Sequence, residues 1–243
     1  MIVDPDFHLY PRVLYRDEKV AAFYKPSGMH VHPHENPRHR VSRDQILLYQ
    51  GRDLINQYLY PVHRLDAGTS GVILFALNKE TARELAQKFE NHLVQKTYEV
   101  VVRGIVPDSG KIDLPLELDS TNELVPALTE FERLATVELP VAVGKRNPTA
   151  RYSLVRAYPR SGRFHQIRRH FGRKSHPVLG DAAHGDSKHN KFFREELKVA
   201  GLCLRASEIE MTVSWKSEGL KVSSPICEKW QRIYQLFSYT EVQ

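Results

Sequence analysis

Asp66 is the residue on which chemistry could be built. It lies in Pro61-Val62-His63-Arg64-Leu65-Asp66-Ala67-Gly68-Thr69-Ser70-Gly71, which runs straight into the apolar stretch Val72 to Leu77. A carboxylate on a loop fed by a rigid buried strand is well placed for nucleophilic or acid–base work. Arg64 stands two residues before it, and Gly68-Thr69-Ser70-Gly71 follows as a tight, permissive turn. The same residues admit a plainer account. Asp is a common turn residue, so Asp66 could simply cap the Gly-Thr-Ser turn, and Arg64 could belong to a surface ion pair.

A second reactive block is Ser161-Gly162-Arg163-Phe164-His165-Gln166-Ile167-Arg168-Arg169-His170-Phe171. It reads as a turn opening a short helix. Phe164, His165, Arg168 and Phe171 fall three and four apart, so one flank can meet the core and present one Arg inward. Arg168 and Arg169 could instead both bind phosphate. Tyr98 lies in Gln95 to Gly104, a β-branched stretch of strand type, where a Tyr commonly packs on a half-buried sheet. Lys25-Pro26-Ser27-Gly28 forces a turn.

These residues need a scaffold. Val13 to Tyr24 reads as two short strands joined at Arg16-Asp17-Glu18. Ser42 to Tyr60 looks helical, with Gly51 as a potential break. Asn78 is a good helix cap, and Ala82, Leu85, Ala86 and Phe89 give a clear helical stripe that packs on the sheet without carrying chemistry. Ala135 to Pro140 and Tyr152 to Val155 read as further strands, with the basic loop Gly144 to Pro148 between them. No internal repeat or low-complexity segment is present.

The chain has 243 residues, 41% of them hydrophobic and 26% charged, as in an ordinary globular protein. No apolar stretch approaches the ~20 residues of a membrane span. The start, Met1 to Asp6, lacks the basic and apolar regions of a signal peptide. Cys203 and Cys227 form neither a disulfide framework nor a thiolate zinc set, and a reducing cytoplasm fits. Net charge is +6, and its distribution is uneven. Leu139 to Gly180 contains no Asp or Glu but ten Lys or Arg, interleaved with Tyr152, Tyr158, Phe164 and Phe171. Phosphate contact explains such a run better than solvation does. His30, His32, His34 and His39 could in principle hold a metal. They lack well-spaced acidic or Cys partners, and the neighbouring Pro33, Pro37, Arg38 and Arg40 suggest an exposed basic loop, so no metal is expected.

His63-Arg64-Leu65-Asp66 followed by Gly68-Thr69-Ser70-Gly71-Val72 resembles the signature of the pseudouridine synthases related to ribosomal large subunit synthase A. Lys25-Pro26-Ser27-Gly28, Lys96-Thr97-Tyr98, Gly162 to His170 and His176-Pro177-Val178-Leu179-Gly180-Asp181 resemble further blocks of that family, and the likeness spans roughly residues 13 to 230. Ala135 to Pro140, Arg151-Tyr152 and Ala182 to Asn190 resemble one branch in particular, whose members act on tRNA. There are departures. Ala67 stands where Pro or a basic residue is usual, Phe164 where a polar residue is common, and Arg205 where His is frequent.

The resemblance implies an α+β fold with a long, bent, mainly antiparallel mixed sheet flanked by helices. One catalytic domain over residues 1–243 is expected. Many such synthases carry an extra N-terminal RNA-binding domain, but only about a dozen residues precede the first family-like strand, so no separate one is expected, and the chain is expected to be a monomer. The resemblance implies isomerisation of uridine to pseudouridine in RNA, without cofactor or metal. Asp66 would be the catalytic nucleophile, Tyr98 an active-site residue and Arg168 the cation paired with Asp66. Arg64 would enter the gap left by the flipped base. RNA contacts are expected from Arg64, Lys25, His63, Arg163, His165 and Arg169. The branch points to tRNA, at the uridine numbered sixty-five in the T-stem, with ribosomal RNA as the alternative substrate. A non-catalytic RNA-binding protein is a rival reading. A glycoside or nucleoside hydrolase is disfavoured, because glycosidases use two cooperating carboxylates and no block offers a second beside Asp66.

Overall fold

The computed structural model describes residues 10–33, 41–118, 121, 123–144 and 147–240. The acidic start, His34 and His39 with the neighbouring Arg38 and Arg40, and the basic pair Lys145-Arg146 lie outside the described residues. The chain divides into two compact units, one of residues 10–96 and 206–225, the other of residues 97–205 and 226–240. The secondary structure is of the α+β class.

The first unit opens with β1 (Arg12–Arg16) and β2 (Val20–Lys25), an antiparallel pair closed by Asp17. Asp17 Oδ1 accepts from the N–H groups of Lys19 and Val20 at 2.7 Å, an Asx turn that fixes the hairpin. α1 (Leu47–Ile55) follows a short 3-10 turn, Arg43–Gln45, and ends at Asn56, whose left-handed φ of 49° stops it. Gly51 does not break this helix. It lies buried inside it, and a Cβ there would stand 2.8 Å from Leu59 Cδ1, so the missing side chain permits close packing. β3 (Tyr60–Pro61) and β4 (Ser70–Ala76) bracket the Asp66 loop. α2 (Lys79–Glu90) is capped as its sequence expects, Asn78 Oδ1 accepting from Thr81 N–H at 2.8 Å.

β2 and β4 are buried at every position, which is why VAAFYK and SGVILFA carry one charge between them. Their antiparallel register sets Lys25 opposite Gly71 and so brings the Lys-Pro-Ser-Gly turn to the end of the Asp66 loop. Gly71 has φ +119°, and a Cβ there would lie 2.1 Å from Ala206 O. Gly71→Ala is therefore expected to cost about 3 kcal/mol or more through backbone strain and overpacking. Urea denaturation checks this, and a loss under about 1 kcal/mol would mean the neighbouring strand yields.

In the second unit β5 (Gln95–Arg103, from Thr97 onward), β10 (Ala150–Pro159), β9 (Leu128–Leu139) and β6 (Ser109–Asp113) stand in that order, each pair antiparallel. β7 (Leu116–Glu117) and β8 (Leu124–Val125) form a small separate hairpin. The helices are α3 (Gln166–Arg173), α4 (Ser187–Glu195) and α5 (Glu228–Leu236). β11 (Leu204–Val213) gives its first two residues to this unit and the rest to the other, where it pairs with β12 (Lys216–Ser223).

Alternation along β5 sorts its side chains by face. Val100 and Val102 join Ile167 and Phe171 of α3 in one apolar cluster, with Tyr98 packed against it. Glu99 points the other way and is fully buried, with Arg205 Nη2 at 2.8 Å and the Tyr234 hydroxyl donating to the same oxygen.

Candidate active site

The Asp66 loop is fixed on both sides of the carboxylate. Before it, His63 Nε2 accepts from Leu74 N–H at 2.9 Å, and the ring stacks on Phe89 at 4.6 Å. An acceptor nitrogen carries no proton, so this His63 is neutral. Burial, then the charge of Lys96, push its pKa down to about 3. Leu65 is buried while Arg64, on the other side of the chain, is exposed. After the carboxylate, Thr69 N–H closes a turn on Asp66 O at 3.0 Å, and the Thr69 and Ser70 side chains are buried. Asp66 itself is half-buried.

The Lys-Pro-Ser-Gly turn clamps the same loop. Lys25 is fully buried, and its ammonium donates to Pro26 O (2.9 Å), Met29 O (2.8 Å) and Ala67 O (2.9 Å). Ser27 Oγ donates to Gly68 O at 2.7 Å, and Gly28 N–H donates to Ala67 O at 2.8 Å. Lys25, expected near RNA or the active-site loop, meets that loop at Ala67 O. Three backbone carbonyls accept from its ammonium, and the side chain is a staple beside Asp66. Lys25→Met is expected to lower stability by about 2–3 kcal/mol, since buried carbonyls lose their donor. Turnover should fall further than RNA affinity. A filter-binding measurement showing lost affinity with turnover intact would return Lys25 to direct contact.

In the other unit the helix carrying Arg168 starts later than its sequence spacing suggests. His165 has a left-handed φ of 52°, so α3 begins at Gln166, and Ile167 with Phe171 forms the core flank while Phe164 stays outside it. Gln166 is locked at four points. Its Oε1 accepts from Ser161 Oγ (2.7 Å) and Arg163 N–H (3.1 Å), and its Nε2 donates to Leu128 O (2.9 Å) and Thr129 Oγ1 (3.1 Å). One turn on, His170 Nε2 donates to Leu114 O at 3.0 Å, which leaves Nδ1 to accept the Thr129 hydroxyl at 2.9 Å. Burial holds His170 below its ordinary pKa, consistent with that neutral ring.

On this fixed helix Arg168 is buried, and it makes a bidentate pair with Asp181, Nε to Oδ2 and Nη2 to Oδ1, both at 2.7 Å. Asp181 Oδ1 also accepts from the N–H groups of Ala183 (2.9 Å) and His184 (3.0 Å). Burial alone would raise its pKa, but the Arg168 fork and these N–H groups outweigh burial and hold the carboxyl below its usual range. Asn190 secures the turn, accepting from Gly180 N–H and donating to Asp181 O. Sequence reading placed Asp181 and Asn190 in family-like blocks but gave neither a role. The available signal was that Asp181 is the first acid after the acid-free run.

The remaining expected residues surround this helix. Arg163 Nε donates to Pro126 O (3.3 Å), Arg169 Nη1 to Glu117 O (2.9 Å) and Arg173 Nη1 to Pro115 O (2.8 Å). Arg169 thus turns toward the β7–β8 hairpin while Arg168 turns inward. His165 Nδ1 shares a hydrogen bond with His184 Nε2 at 3.0 Å. Tyr98 is half-buried beside the apolar cluster. Among the described residues no group of three or more His, Cys, Asp or Glu could hold a metal ion, and no helix is long and apolar enough to cross a membrane.

One unit thus carries Asp66 on a stapled turn, and the other carries Arg168 held by a buried carboxylate on a locked helix. The model of one family, described as RNA pseudouridylate synthase, matches residues 19–173. The chain belongs to the RNA pseudouridylate synthase family. It is 39% identical over 239 residues to the tRNA pseudouridine synthase C of Vibrio parahaemolyticus, an alignment covering 94% of this chain and 96% of that one. It is 42% identical over 239 residues to the tRNA pseudouridine synthase C of Pectobacterium carotovorum subsp. carotovorum, covering 93% of this chain and 62% of that relative. In fold it is similar to Human RNA Pseudouridylate Synthase Domain Containing 1, with a TM-score of 0.70, 22% identity, and coverage of 90% and 86% of the two chains.

Proposed function

We propose that this protein isomerises uridine to pseudouridine in tRNA, at the uridine numbered sixty-five in the T-stem, acting as a cytoplasmic monomer. The observation that supports the substrate is the similarity, along almost the whole chain, to relatives named tRNA pseudouridine synthase C. The reaction breaks the C1′–N1 bond, turns the base and joins C5 to C1′. N1 gains a proton and C5 loses one, so the balance calls for no cofactor. Asp66 is the carboxylate that attacks C1′ or takes a proton from C2′. Arg168 is the cation of the reaction. Its guanidinium stays charged at any working pH, and Asp181 fixes its plane. Tyr98 removes the C5 proton or stacks on the uracil. Arg64, exposed two residues from Asp66, is the planar group that replaces the flipped base in the stack, offsetting a cost of a few kcal/mol.

The test uses unmodified tRNA and ribosomal RNA transcripts carrying tritium at uracil C5, with the modified position mapped afterwards. Release from tRNA at the T-stem uridine is the expected result. Release from ribosomal RNA alone would keep the isomerase and discard the substrate. No release from either, with tight binding intact, would favour a binding protein.

A further inference from the structure

One exposed aromatic group lies outside the roles assigned so far. Phe164 keeps 40% of its surface in solvent and stands where a polar residue would be less costly to expose. Its ring is nearly parallel to that of His165, with centroids 3.7 Å apart and planes at 21°. Consecutive side chains ordinarily diverge. Here the left-handed backbone at His165 (φ 52°) accompanies the stacking of the two rings. His165 is braced in turn, its Nδ1 hydrogen-bonded to His184 Nε2 at 3.0 Å. The result is a propped, flat apolar surface. Arg163 precedes it directly, held on Pro126 O, and the whole segment from Leu139 to Gly180 is free of acid. Other arginines of that segment meet Glu130, Glu132 and Asp181, but Arg163 and Arg169 rest on neutral carbonyls, and an uncharged apolar partner would leave their charge unmatched. A nucleobase with its phosphate matches both the flat ring and the charge.

We propose that Phe164 is a stacking platform for an unpaired base of the RNA substrate, adjoining Arg163 as its phosphate partner. This rests on the reading of RNA as substrate and adds a specificity-determining contact to it. Unstacked bases on aromatic rings are a general mode of single-strand recognition, and a left-handed non-glycine residue such as His165 is a feature that clusters at functional sites.

The experiment pairs kinetics with a direct optical signal. Phe164→Leu should raise KM for the tRNA transcript about tenfold, with kcat falling by less than KM rises, and Phe164→Tyr should restore KM. Phe164→Trp, read against the background of Trp215 and Trp230 in the unaltered protein, should show emission quenched by the transcript but not by inorganic polyphosphate, which has the charge and no bases. Equal quenching by polyphosphate, or a KM unmoved by Phe164→Leu, overturns the proposal. So does a Phe164→Leu variant whose melting temperature and kcat fall together with KM unchanged, which would make the ring a structural prop. Failure of the isomerase reading is told apart, because the unaltered protein would then release no tritium while the Trp signal could still respond to RNA.

Discussion

Asp66→Asn is expected to abolish tritium release, by about 10⁴-fold or more, while leaving the melting temperature within about 2 °C of the original. The reasoning is local. The loop owes its shape to its neighbours, through His63 on Leu74, the Thr69 turn, and the Lys25, Ser27 and Gly28 bonds to Ala67 and Gly68. These bonds run through backbone groups and neighbouring side chains, and an isosteric Asn keeps one acceptor oxygen at position 66. An amide of the same shape keeps the turn but is a poor nucleophile and a poor base, so activity and stability should separate. RNA binding should survive. A variant that loses activity only because it unfolds would place Asp66 among the turn formers, the plainer account that its sequence setting also allows.

Asp181→Asn is expected to lower kcat about 10²-fold and stability by about 3 kcal/mol. The carboxylate accepts both Arg168 nitrogens and two backbone N–H groups, and an amide would turn a donor toward donors already there. Arg168 would remain charged and buried with its plane released. The acid side of the stability curve gives a separate readout. The folded pKa of Asp181 is depressed, so its contribution is complete above about pH 4, the unfolded value, and drains as pH falls through the folded one. The variant should therefore show a flatter stability profile below about pH 4, measured by urea denaturation at a series of pH values. A kcat unchanged at a temperature where the variant is folded would mean that Arg168 needs no orienting partner.

What the sequence made legible was local. Asn78 caps α2 because its side chain reaches Thr81 three residues on, and a helical stripe needs no distant information. The strand pair 12–25 and the turn before Ser70 follow for the same reason. Features that depend on register were hidden. The acid-free run looked like ten uncompensated cations, yet the β9–β10 register sets Glu132 opposite Arg156, and Glu130 meets Arg160. Asp181 takes Arg168. Lys25 read as a loop cation because nothing in Lys-Pro-Ser-Gly says that the carbonyls of Pro26, Met29 and Ala67 converge on its ammonium. Buried Glu99 with Arg205 and Tyr234 joins residues more than a hundred positions apart, at the very place where Arg205 departs from the usual His.

The three arginines that rest on the carbonyls of Pro126, Glu117 and Pro115 carry a consequence for the entropy of association. A long cationic side chain that is free in solution loses rotamer freedom when a phosphate captures it, at roughly 0.5–1.5 kcal/mol each. Arg163, Arg169 and Arg173 have surrendered much of that freedom within the folded chain, and their full charge remains uncancelled because a carbonyl is neutral. A polyanion that met them would find its counter-charges already ordered, so a larger share of the electrostatic attraction would survive as affinity.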